Sequence, residues 1–268
     1  MNKRLLSSGT PFLITKEYRR FAEFCDACRR HRYIGLCYGP PGVGKTLSAR
    51  HYAQWDMVQQ HWQDYFCAPA ASLASCHTIL YTPTVANSAR SVEKEIEGLH
   101  FRFNCLVDQA VAQRQGEDRD IDRDYCELML VDEADRLKTA SLEQLRDIYD
   151  RTQVGVVLIG MPGLEKRLAR YPQLYSRVGF AHQFRPLSRD ELTFILTQKW
   201  EQLGLTLELT DFTDAEAVAA VIRITGGNFR LLQRLFAQVE RILQINELHT
   251  ITQEVVEAAR EGLVIGVV

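Results

Sequence analysis

The chain has 268 residues, 46% of them apolar and 25% charged, which is enough for one large or two modest cores and leaves no reason to expect long disorder. Its formal net charge is only −2, so affinity for nucleic acid has to come from local basic patches rather than a chain-wide field. The opening MNKRLLSSGT has no apolar signal core and no run approaches the roughly 18 residues that span a bilayer, so a cytoplasmic protein with no membrane partner is expected.

Seven cysteines, odd in number and scattered, suit a reducing compartment better than a disulfide framework. Cys25 and Cys28 form a CxxC pair with no second pair to complete a zinc site, and they read as thiols buried in a helix.

In chain order, an N-terminal helical segment leads to the apolar run YIGLCY (33–38), followed by HTILYT (77–82), ELMLVD (127–132) and VGVVLIG (154–160). Each run is short, rich in β-formers and bounded by turn residues or charges, as expected of strands buried on both faces. Helical patterning with a charged outer face follows each of them, over 45–61, 88–115, 139–151 and 163–170. HQFRP (182–186) is a candidate fifth strand, and Pro186 with Ser188 marks the break into the helix RDELTFILTQKW. Beyond that point DAEAVAAVIRIT, NFRLLQRLFAQVERILQ and TQEVVEAAREGL read as three more amphipathic helices. The alternation predicts an α/β fold: a parallel-sheet core over 1–187 and a small α-helical domain over 188–268. The final LVIGVV is too short for a membrane anchor and reads as a tucked terminus or a docking strand.

GPPGVGKT (39–46) matches GxxxxGK[ST] between a predicted strand and a predicted helix, the context a phosphate loop requires. Gly39, Gly42 and Gly44 leave the backbone free to wrap phosphate, with Pro40, Pro41 and Val43 completing the loop and Leu47 following it. Lys45 is expected on the β- and γ-oxygens and the Thr46 hydroxyl on Mg²⁺. LMLVDEADRL (128–137) supplies the other half. Asp132 at the end of an apolar strand is a second ligand for Mg²⁺, and Glu133 is placed to deprotonate an attacking water. ATP hydrolysis with Mg²⁺ is the expected chemistry.

The phosphate loop, VDEADRL, VGVVLIG running into MPGLEKRLARYPQLYSRVGF, and GGNFRLL (226–232) together resemble an AAA+ ATPase of the DNA-transposition regulator type, the branch of MuB, TniB and TnsC. The resemblance spans about residues 10–245. It implies a P-loop core with a helical lid. It also implies that Arg177, with Arg170 as second choice, is the arginine that reaches a neighbouring subunit's ATP, and that Arg230 senses the phosphate from the lid. One departure concerns the end of the fourth strand, where the family usually offers a polar side chain for the water. This chain reads Gly160-Met161-Pro162, so slow hydrolysis is expected.

Proteins of this type work as rings or filaments, and the resemblance directs the segment after the second strand towards the central axis. Here that segment offers Thr84, Asn87, Ser88, Arg90 and Lys94 at a helix N-terminus, where phosphate meets amides and cations together. Arg119 in QGEDRDIDRD (115–124) is a weaker candidate amid more acids than bases, and RRHR (29–32) reads equally as a solvated helix end. No base-reading module is present in the pattern, so contact with duplex DNA is expected to be nonspecific in sequence. The implied function is ATP-dependent assembly on target duplex, target selection, and recruitment or activation of a transposase and its targeting proteins. A loader or secretion-type regulator acting on a protein partner, such as a helicase loader, and a nucleotide-dependent scaffold without hydrolysis remain open alternatives at this level.

Overall fold

The computed structural model describes residues 12–63, 71–116, 119–120 and 123–263. Helix α1 (Lys16–His31) is opened by Thr15, whose side chain accepts from the Tyr18 amide, and closed by Arg32 in the left-handed region after a basic last turn. Strand β1 (Ile34–Tyr38) then enters the phosphate loop, which runs into α2 (Lys45–Tyr52) and α3 (Trp55–Gln63). There follow β2 (Thr78–Tyr81), α4 (Ala89–Gln115), β3 (Leu128–Val131), α5 (Thr139–Thr152), β4 (Gly155–Gly160), α6 (Leu164–Leu168), α7 (Pro172–Tyr175) and β5 (Val178–Gln183). The chain ends in α8 (Arg189–Gln202), α9 (Phe212–Thr225), α10 (Phe229–Ile245) and α11 (Gln253–Glu261). Of the terminal LVIGVV, residues 264–268 lie outside the described residues.

The strands form one parallel sheet in the order β2-β3-β4-β1-β5. Strands β2, β3 and β4 are buried along their whole length and β1 over all but its last residue, which explains their near-continuous apolar sequences. The order matters for the site. Chain order runs β1 to β5, but β4 lies beside β1, so the carboxyl ends of β1, β3 and β4 converge where a parallel sheet opens its ligand crevice. Tyr38 pairs with Gly160 and Val131 with Leu158, so the residues after β1 and β3 emerge on the same edge.

Three elements differ from the sequence expectation. The helix predicted over 45–61 breaks at Gln54, whose φ is 49°. Ala49, Ala53, Trp55 and Val58 are all buried, and their spacing of four, two and three cannot stay on one face of an unbroken helix. Arg50 braces the break by donating to Asp56 and Gln59. The helix predicted over 163–170 is shorter, α6 alone, and a separate turn of helix, α7, follows it with Pro172 at its first position. The fifth strand begins at Val178 rather than near 182. As an edge strand it alternates half-buried with exposed residues, so it lacks the apolar run that marks its neighbours.

Two apolar clusters fill the molecule. One runs from Phe21 to Phe184 around the sheet, and the other from Leu187 to Ala259 among α8–α11. Glu17 and Glu191 stitch the two together: the Glu17 amide donates to Glu191 Oε1 at 3.0 Å, and Glu17 Oε1 accepts from the Arg185 amide at 3.1 Å. Glu191 also closes the capping box of α8 with Ser188. Among the described residues no helix is long and apolar enough to cross a membrane.

Candidate functional site

The loop after β1 is shaped by its glycines. A Cβ on Gly39 would come within 2.3 Å of the Phe184 carbonyl oxygen, and Gly42 has φ +79° with Asn228 closing over it. Lys45 is 9% exposed, and its Nζ donates to the carbonyls of Gly39 at 2.6 Å and Pro40 at 2.8 Å. Burial lowers the Lys45 pKa from its ordinary value, against the pull of Asp132 and Asp135. Val43 turns its side chain into the core, so only its backbone faces the loop, while Leu47 is exposed.

Asp132 sits just past β3, 4% exposed, with its amide bound to the Tyr81 carbonyl at 2.8 Å. Its Oδ1 accepts from the Glu133 amide at 2.9 Å, and Thr46 lines the cleft beside the same carboxylate. Burial raises the Asp132 pKa in spite of the Glu133 amide and the neighbouring Thr46 hydroxyl. Glu133 takes a left-handed φ of 52°, opens a turn of 3-10 helix (Ala134–Arg136), and forms an ion pair with Arg136.

The lid closes the site from above. Asn228 caps α10 through Oδ1, which accepts from the Leu231 amide, and with Nδ2 it donates to the Pro41 carbonyl at 3.0 Å. The Arg230 amide donates to the Gly42 carbonyl at 2.9 Å. The result is a cleft of about 590 Å³ lined by phosphate-loop residues with Lys45, Thr46 and Leu47, by Asp132 and Glu133, and by Phe229, Arg230 and Gln233 of the lid. Cationic Lys45 and the N-terminus of α2 face the acidic pair across a space of ordinary ligand size.

The proposed trans-acting residues lie elsewhere. Arg177 does not line this cleft: its Nε and Nη2 grip Asp150 at 2.6 and 2.8 Å, and this hydrogen-bonded contact holds the Asp150 carboxyl below its ordinary range. Arg170 is exposed.

The segment after β2 is anchored rather than free. Asn87, expected among the groups facing phosphate, is 5% exposed and is fully used inside the protein. Its Nδ2 donates to the Thr84 and Arg136 carbonyls, and its Oδ1 accepts from Ser141. Ser88 is likewise occupied, in a capping box with Ser91 at the start of α4, and Thr84 donates to the Ala86 carbonyl at 3.1 Å. Arg90 and Lys94 are exposed on the first turns of α4, with no partner among the described residues. Arg119 is committed to Asp108 at 2.9 Å, pinning a carboxylate that is itself buried. In RRHR, Arg29 pairs with Asp26 and Glu127. Cys25 and Cys28 are buried in α1, where desolvation drives both thiol pKa values up, that of Cys28 to about 12.

Sequence reasoning passed over Asp135, Arg136, Phe229 and Gln233, all of which line the cleft. The signal was available in part: Asp135 and Arg136 belong to the same DEADRL run as the acidic pair, two and three residues beyond Glu133.

The AAA domain family profile matches residues 28–168. A "Potential ATP-binding protein" of Staphylococcus aureus is 47% identical, over 98% of this chain and 100% of that protein. The "Mu-like prophage FluMu DNA transposition protein B" of Haemophilus influenzae is 25% identical over 84% of this chain and 71% of its own length. The "ATP-dependent target DNA activator B" of Escherichia phage Mu is 28% identical over 59% of this chain and 45% of its own length. Among solved structures, the RuvB Holliday junction branch migration motor of Thermotoga maritima superposes with a TM-score of 0.60 at 18% identity, covering 94% of this chain and 70% of that one, a likeness of fold. The chain therefore belongs to the AAA domain family and is an AAA+ P-loop ATPase related to the Mu transposition B proteins.

Proposed function

We propose that this ATPase assembles as a ring or filament on duplex DNA in its ATP state, without sequence preference, and that the assembly selects the target and recruits or activates a transposase. The observation that carries the reading is the wiring between the nucleotide cleft and the segment that leads to two exposed cations on α4. Arg136 is ion-paired to Glu133 in the cleft, donates to the Pro83 carbonyl at 3.1 Å, and offers its own carbonyl to Asn87 at 2.9 Å. The segment so held runs directly into Arg90 and Lys94 on α4, two exposed cations suited to phosphate. The relatives that carry transposition in their names support the same reading.

In this account Lys45 and the phosphate-loop amides hold the triphosphate, and Glu133 takes the proton of the attacking water. Thr46 and Asp132 would hold Mg²⁺, a fit supported by two hard oxygen donors that line the same cleft beside the loop. Bound there, the ion would neutralise charge on the β- and γ-oxygens. Arg230 would contact the same nucleotide from the lid, and Arg177, released from Asp150, would reach that of a neighbouring subunit.

Electron microscopy of the protein with duplex DNA and a non-hydrolysable ATP analogue tests the reading. Rings or helical assemblies threaded by duplex are expected. Assembly only on a hexameric helicase, with bare duplex ignored, would replace this reading with that of a protein loader.

A further inference from the structure

Neither Gly160 nor Met161 has a polar side chain to offer at the end of β4, yet that corner of the cleft is not apolar. A Cβ built on Gly160 would lie 2.5 Å from Asp135 Oδ2 and 2.6 Å from Leu164 Cδ2, so the Asp135 carboxylate occupies the space a side chain at 160 would fill. It is held firmly there. Asp135 Oδ2 accepts from the Met161 amide at 2.7 Å, and the Asp135 carbonyl accepts from Arg167 Nη1 at 2.8 Å while the other arm of Arg167 reaches the Leu137 carbonyl. Ala134, the neighbouring residue, is fully buried. Asp135 Oδ1 has no hydrogen-bond partner among the described residues, and the residue lines the same cleft as Lys45 and Glu133.

A water that attacks phosphorus must aim a lone pair at the γ-phosphorus, which leaves both of its hydrogens to be accepted elsewhere. One acceptor leaves the water free to rotate about that bond. Two acceptors fix it in line.

We propose that Asp135 Oδ1 is the second acceptor for the attacking water in ATP hydrolysis, supplied from the turn after β3 in place of a side chain at the end of β4. Glu133 takes the proton as the water oxygen bonds to the γ-phosphorus and the bond to the β–γ bridging oxygen breaks, giving ADP and inorganic phosphate. Asp135 accepts a hydrogen bond from the remaining O–H and takes no proton. The proposal rests on Glu133 as the base.

The test is steady-state hydrolysis together with nucleotide affinity for the wild type, Asp135→Asn, Glu133→Gln and the double variant. Asparagine keeps an oxygen for the Met161 amide but turns a donor towards the water. A fall in kcat of about 10- to 100-fold is expected, with KM and ATP affinity within about twofold of wild type. The double variant should be scarcely slower than Glu133→Gln alone, because the two groups hold one water. Should Asp135→Asn melt early, Asp135→Ser provides the same comparison, as it is too small to crowd Gly160. A wild-type kcat in the well-folded variant would reduce Asp135 to a cap on the Met161 amide, as would losses that multiply in the double variant. A loss confined to nucleotide affinity would also overturn the proposal. If Glu133→Gln alone hydrolysed ATP normally, the choice of base would fail instead, a separate and recognisable outcome.

Discussion

Glu133 and Arg136 are ion-paired across a single turn of 3-10 helix, and the same guanidinium donates to the Pro83 carbonyl at the root of the segment leading to α4. The carboxylate proposed to accept the proton from water is thus tied to a cation that also holds a surface segment. Replacing Arg136 by alanine removes both ties. Phosphate release by Arg136→Ala should rise a few-fold without DNA and should no longer respond when duplex is added. A variant that is slower than wild type and still responds to duplex would show that Arg136 does not connect the two.

Lys45→Ala tests the floor of the cleft. Charge-assisted hydrogen bonds contribute about 1.5–3 kcal/mol, so ATP affinity should drop roughly 10- to 100-fold, and retention on duplex should vanish with it. Calorimetric titration with ATP and a duplex pull-down measure the two effects. Full duplex retention by a variant that no longer binds ATP would detach DNA binding from the nucleotide.

Glu133→Gln leaves an isosteric acceptor that is too weak to take a proton. Nucleotide binding should survive while kcat falls by about 10²–10⁴. Complexes on duplex should then outlast those of the wild type in ATP, which dissociation kinetics from immobilised DNA can resolve.

Acid should loosen the seam between sheet core and lid. For both Glu17 and Glu191 burial pushes the pKa up, but their polar contacts outweigh it: the His182 ring 3.2 Å away and the Arg185 amide at Glu17, and the Ser188 and Glu17 amides at Glu191. Both end below the ordinary value of 4.5. Groups lowered in the folded state stabilise it fully above the unfolded pKa, and that contribution is lost as pH falls through the folded pKa. Thermal midpoints should therefore hold near neutrality and drop once the pH passes below 4.5. Glu17→Gln should show a shallower drop. Superimposable pH profiles for wild type and variant would remove Glu17 from the seam.

Much of the fold was legible because burial on both faces writes itself as unbroken apolar runs. Strands β1 to β4 were readable for that reason, whereas β5, half exposed at the sheet edge, was displaced by four residues in the reading. The phosphate loop and acidic pair were legible from local spacing. What the sequence concealed was long-range: Asn87 looks like a surface amide until Arg136 and Ser141, about fifty positions later, are folded against it. Arg119 looks like a free cation until Asp108 is found beneath it. Asp135 looks like one more acid in a charged turn until β4 brings Gly160 alongside.

Duplex binding across a salt series, with a non-hydrolysable ATP analogue and with ADP, tests the central claim most directly when wild type and Arg90→Ala are compared. Wild type should bind unrelated duplexes equally and tightly only with the ATP analogue. Arg90→Ala should bind more weakly, with the slope of log affinity against log salt reduced by about one for each subunit engaged and nucleotide affinity unchanged. Equal binding in ADP and the ATP analogue, or no binding to duplex by the wild type in either, would contradict the account.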